Sequence, residues 1–142
     1  MLPGLRTLAI ASTLSALISP AAFAGGIQAK VEGPMKDGHT YVVRTYHCQQ
    51  PAAMQFTAFA EGVVNGKRQT LPLVLKSTRT DGVFTFDRAW PREGRWVVRL
   101  DMGGDLSLVA TLAGNGRVKD SELRWDGGGR ELCEQKLAAL AK

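Results

Sequence analysis

Phe84-Thr85-Phe86-Asp87-Arg88-Ala89-Trp90-Pro91-Arg92-Glu93-Gly94-Arg95-Trp96-Val97-Val98-Arg99-Leu100 carries the clearest strand signal in the chain. Phe84 and Phe86 alternate before Pro91, and Trp96, Val98 and Leu100 alternate after Gly94. A period of two marks half-buried strands, whose successive side chains point to opposite faces. Pro91 presets φ where a turn begins, and Gly94 can take the positive φ that closes a short loop. The segment therefore predicts two strands joined as a hairpin, with two of the three tryptophans bracketing the turn.

The same alternation extends in both directions. Upstream, Ile27, Ala29 and Val31 form one run before Gly33-Pro34, and residues 41–48 form another before Gln49-Gln50-Pro51. Residues 55–64 follow, with Phe56, Ala58 and Ala60 on one side. Asn65-Gly66 is a strong signal for a tight hairpin turn, because a type I′ turn needs positive φ at both positions. It leads into residues 68–75, where Leu71, Leu73 and Leu75 share a face. Pro72 has no N–H for a ladder, which predicts an edge strand. Downstream of Gly103-Gly104, Leu106, Leu108, Ala110 and Leu112 alternate, and Asn115-Gly116 turns the chain into residues 118–125. The glycine run 127–129 then leads to a helix over 130–141, in which Cys133, Leu137 and Leu140 share one face. No helix separates any two strands, which excludes a parallel βαβ arrangement. Runs spaced by roughly ten residues predict an all-β fold, an antiparallel immunoglobulin-like sandwich of about seven to eight strands with a short C-terminal helix.

Residues 1–24 read as a secretory signal peptide: one charge at Arg6, an apolar stretch from Leu8 to Ile18, and Ala22-Phe23-Ala24 as the small-x-small cleavage site. The apolar stretch is too short for a hydrocarbon core of roughly 30 Å. Residues 25–142 are then a single domain in the bacterial periplasm or outside the cell, with no stable membrane insertion after cleavage. Loss of Arg6 lowers the formal charge of +5 by one. The basic residues are densest at Arg88, Arg92, Arg95 and Arg99, which on a hairpin would share a polar face suited to an anionic partner. The ordinary alternative is a solvated face, since Asp87, Glu93 and Asp101 are interleaved with them. No aromatic-interleaved platform for nucleic acid is present.

Cys48 and Cys133 are the only cysteines. In an oxidising compartment two thiols predict one disulfide, here a staple between the C-terminal helix and the end of an early strand. In the chain-entropy model a loop of that size contributes about 4–5 kcal/mol. A redox pair would ordinarily show C-x-x-C spacing, which is absent.

The segment Trp90-Pro91-Arg92-Glu93-Gly94-Arg95-Trp96-Val97-Val98-Arg99-Leu100 resembles the hairpin of bacterial extracytoplasmic immunoglobulin-like sandwiches of the YtkA-like and FixH-like groups. The resemblance implies an Ig-like sandwich with a role in binding or assembly at the envelope, and some copper-handling periplasmic proteins share that architecture. No His-rich N-terminus or Met-rich run accompanies the motif, so no functional residue carries over from it.

For a copper site the candidates are His39, His47 and Met54, with Met35 and Met102 as further soft ligands. His47 and Cys48 are neighbours, so on a strand they point to opposite faces. Small-hydrolase chemistry is a further alternative, yet no serine lies in a G-x-S-x-G elbow and the carboxylates stand among turn residues and arginines. The glycines at 127–129 lack the Lys-Ser or Lys-Thr of a phosphate loop. The sequence thus predicts a non-enzymatic binding or accessory module without a cofactor. Its partner would be another envelope protein or an anionic ligand. Arg92 and Arg95 are the contact candidates, with Trp90 or Trp96 if either is exposed, because Trp and Arg are enriched at binding hot spots.

Overall fold

The computed structural model describes residues 28–46 and 55–142. The expected signal segment, residues 1–24, lies outside them, as do Ile27, His47, Cys48 and Met54. Among the described residues nine strands and one helix follow in order: β1 Gln28–Glu32, β2 Thr40–Tyr46, β3 Thr57–Val64, β4 Lys67–Leu73, β5 Lys76–Ser77, β6 Val83–Asp87, β7 Arg95–Asp101, β8 Ser107–Leu112, β9 Val118–Arg124 and α1 Gly129–Leu140. They form two antiparallel sheets, β1-β2-β6-β5 and β4-β3-β7-β8-β9. The all-β sandwich read from the alternation is the fold of the chain.

The local turn chemistry behaves as the residues require. Asn65 and Gly66 both have positive φ, 49° and 74°, and join β3 to β4 with Val64 opposite Lys67. Pro72 sits on β4, which pairs only with β3 and is an edge of its sheet. Leu75 lies beyond β4, in the passage to β5. That two-residue strand belongs to the opposite sheet, pairing with β6, and it raises the strand count above the expected seven to eight.

The hairpin expected over residues 84–100 is not formed. β6 pairs with β2 and β5, whereas β7 pairs with β3 and β8. Both edges of each strand are taken, so residues 88–94 cross from one sheet to the other. Phe84 and Phe86 meet Trp96, Val98 and Leu100 through the core between the sheets. Alternation reports that one face is buried; it carries no information about which strand lies alongside.

Tyr41 and Phe86 stack at 5.3 Å inside that core, and Trp90 packs against Tyr41 at 5.2 Å. The outer face of the five-stranded sheet is covered by α1, where Leu132, Cys133 and Leu137 bury Val97 and Val109, with Leu140 packed alongside. This second layer explains why residues 96–100 of β7 and all of β8 are buried, against the alternating exposure expected of a one-sided strand.

Candidate functional site

Two clusters of polar chemistry stand out, one under α1 and one where β6 crosses to β7. The first is built around Arg99. The interleaved charges along its strand suggest a solvated face, but α1 covers it and only 5% of it is exposed. A buried guanidinium must be compensated by charge and by hydrogen bonds. Arg99 Nε and Nη2 reach Glu61 Oε1 at 3.0 and 2.9 Å, Nη1 donates to Asp101, and the guanidinium lies 4.9 Å from the Phe59 ring centre. Burial works against its charge, yet the bonds to Asp101 and Glu61 outweigh burial and leave its pKa raised.

Ser107 Oγ donates to the other Asp101 oxygen at 3.0 Å. A depression of about 210 Å³ borders this cluster, lined by Asp101, Asp105, Ser107 and Arg130 among others, with no histidine in its lining. Among the described residues no histidine lies beside Ser107, and the carboxylate it donates to, Asp101, is already engaged by the Arg99 cation. The cluster ties β3, β7 and β8 together, and Arg68, bound to both Glu61 and Glu134 of the helix, links it to α1.

The second cluster has a different character. A pocket of about 150 Å³ is lined by Arg88, Arg92 and Arg95, by Trp90 and Trp96, and by Leu112, Gly114, Gly116 and Leu140 from distant parts of the chain. Gly94 makes the crossing possible: its φ is 87°, and a Cβ there would lie 2.6 Å from the Val63 carbonyl oxygen. Trp96 Nε1 donates to the Glu93 carbonyl at 2.8 Å, which fixes the indole against the crossing.

Arg88 is the most constrained of the three arginines. Its Nε donates to the Trp90 carbonyl and its Nη2 to the Pro91 carbonyl, each at 3.1 Å. The guanidinium carbon lies 5.5 Å from the Trp90 ring centre, within cation–π range. Tyr41 supports the pocket beside Arg88 by donating to the Gly116 carbonyl at 2.7 Å. Burial raises the Tyr41 pKa, with the Arg88 charge opposing, so the phenol remains a donor at neutral pH.

Among the described residues no carboxylate lies in ion-pair reach of Arg88, Arg92 or Arg95, while Arg99, Arg68 and Arg44 all have one. Arg117, exposed and next to Gly116, is likewise without an acidic partner among them. Among the described residues, then, this end of the sandwich carries cationic charge without a carboxylate in ion-pair reach.

Of the contact candidates, Arg92 is exposed and Arg95 half-buried, both at the pocket. Trp90 and Trp96 are each only 4% exposed, so neither is a protruding contact residue; they belong to the core and line the pocket from inside. The exposed tryptophan is Trp125, at 55%, which the alternation places at the end of a strand with no distinguishing signal. Arg88 belongs to the basic cluster visible in the sequence, but only the tertiary fold links Leu112, Gly116 and Leu140 to it.

Of the copper candidates, His47 and Met54 lie outside the described residues. His39 is exposed in the β1–β2 turn, its Nε2 3.6 Å from Asp37 Oδ2. Met35 is 46% exposed and Met102 is buried in the core. Among the described residues no three His, Cys, Asp or Glu side chains are grouped to hold a metal ion. Cys133 has no disulfide partner among the described residues; it is fully buried between α1 and the sheet, and burial pushes the pKa of its thiol up to about 12, with the Glu61 charge adding to the effect. Its expected disulfide partner, Cys48, is outside the described residues.

Comparison with protein-family models, with curated proteins and with solved structures finds no match for this chain.

Proposed function

We propose that the chain is an exported, non-enzymatic binding module of the bacterial envelope that captures an anionic partner through the basic end where β6 crosses to β7. The observation that carries this reading is the convergence of Arg88, Arg92 and Arg95 on one pocket without a carboxylate among the described residues to neutralise them. Unneutralised guanidinium groups around a concave site raise the local concentration of anions and speed their arrival. Arg also supplies a planar fork that matches carboxylate and phosphate oxygens.

Export rests on Arg6, the apolar stretch after it and Ala22-Phe23-Ala24. No helix among the described residues is long and apolar enough to cross a membrane. In an oxidising compartment Cys48 and Cys133 would pair, closing most of the domain into one covalent loop.

The test is a pull-down from envelope extract with the mature chain, run beside an Arg92→Ala/Arg95→Ala double variant. A specific partner that the wild type retains and the double variant loses is the expected result. Equal capture by both proteins removes the basic end as the contact surface.

A further inference from the structure

From the lining of the same pocket we infer the class of anion it takes: a single carboxylate carried on a short aliphatic group. This deepens the binding reading above and rests on it. The pocket's volume of about 150 Å³ is well below the roughly 300–1,000 Å³ typical of sites for drug-sized ligands. It admits a small terminal group and leaves the rest of any larger partner outside.

The lining is of two kinds. Trp90, Trp96, Leu112 and Leu140 present carbon, while Arg88, Arg92 and Arg95 present charge. A hydrated inorganic oxyanion gains nothing from four apolar walls. An aliphatic carboxylate uses both halves, burying its carbon against the indoles and leucines and turning its oxygens to the guanidinium groups.

Two further features set the strength of the anion-binding field. Arg88 already commits Nε and Nη2 to the Trp90 and Pro91 carbonyls, so its free donor capacity is confined to the remaining hydrogens. Leu140 brings the last turn of α1 to the pocket, and a helix C-terminus carries roughly half a negative charge. That partial charge tempers the arginine field without reversing it.

Arg88 is also preorganised. The two carbonyl bonds and the Trp90 ring hold its guanidinium in place, and Nη1 lies 3.3 Å from the point a Cβ would occupy on Gly116. Fixing a donor before binding removes part of the entropy cost of capture. Two sources carry this chemistry: the C-terminal carboxylate of a peptide ending in a small apolar residue, and a free short-chain acid.

The experiment titrates the mature protein, in a Trp125→Phe background so that fluorescence reports Trp90 and Trp96, with acetyl-Ala-Ala, its C-terminal amide, isobutyrate and inorganic phosphate. Acetyl-Ala-Ala is expected to bind, the amide to bind at least tenfold more weakly, and phosphate to bind more weakly than either carboxylate. A dipeptide that outbinds isobutyrate identifies a chain terminus as the source; equal affinities identify a free acid. Arg88→Ala is expected to cost at least tenfold. Arg92→Ala, at an exposed site, is expected to weaken binding in a protein that remains folded. Phosphate binding as tightly as the carboxylates overturns the inference and leaves the basic contact surface standing. Failure of every probe also overturns it, and the Arg92/Arg95 pull-down then decides the wider reading separately.

Discussion

Glu61 of β3 and Arg99 of β7 lie side by side beneath α1, with Arg99 Nη2 2.9 Å from Glu61 Oε1 and both residues less than a tenth exposed. The pair sits on the outer face of the five-stranded sheet, where an apolar contact would have been the simpler solution. Removing one member of a buried ion pair leaves the other uncompensated in a poor dielectric.

Glu61→Ala is accordingly expected to destabilise the fold by about 3 kcal/mol, the low end for a broken buried pair, because Asp101 still holds Arg99. Glu61→Leu combined with Arg99→Met is expected to cost less than Glu61→Ala alone. Urea denaturation of wild type and the two variants measures this. A double variant less stable than the single one would show that the pair contributes net stability beyond its own compensation.

Cys133 is expected to be chemically silent in the reduced, folded protein. A thiol with a pKa of about 12 is on the order of one ten-thousandth ionised at pH 8, and the thiolate is the reactive form. Iodoacetamide at pH 8 should leave Cys133 unmodified until the protein is unfolded, as read by peptide mass spectrometry. Rapid labelling in the folded state would mean that α1 lifts readily from the sheet. The same measurement on protein recovered from an oxidising compartment tests the proposed bridge to Cys48, which predicts no labelling even after unfolding.

The β1–β2 turn gives a pH-dependent signal. Asp37 accepts hydrogen bonds from the Thr40 hydroxyl at 2.5 Å and from the Thr40 and His39 backbone N–H groups at 2.9 Å, which lowers its pKa from 3.8 to about 2. A carboxyl depressed in the folded state contributes stability above its unfolded pKa and loses it as pH falls from about 3.8 through about 2. NMR titration of the Asp37 carboxyl carbon should give a midpoint near that lower value, and Thr40→Val should move it upward. A midpoint unchanged by Thr40→Val would remove the hydroxyl as the principal cause.

Much of this architecture is legible residue by residue. Asn65-Gly66 specifies a turn, Pro72 an edge strand, and the spacing of Cys133, Leu137 and Leu140 the buried face of α1, because each is a consequence of local backbone geometry. The partnership of strands is not. Phe86 and Val98 both belong to alternating runs, and alternation is satisfied equally by strands of one sheet or of two facing sheets. Only the fold sets Val98 in the opposite sheet from Phe86, in the core that both share. The basic pocket is partly legible in the same sense: its arginines stand close together in the sequence, whereas Leu112, Gly116 and Leu140 reach it from segments that no local signal connects.

From its residues alone, then, the chain specifies the class of fold, the places where it turns, and a concentration of arginines between residues 88 and 99. The packing of distant segments divides those arginines. It drives Arg99 under α1 and binds it to Glu61 and Asp101, and it leaves Arg88, Arg92 and Arg95 around a pocket with no carboxylate in ion-pair reach among the described residues. The physical reason is that hydrogen-bonding geometry and turn preference act over a few residues, whereas burial and charge compensation depend on which distant segments are brought together.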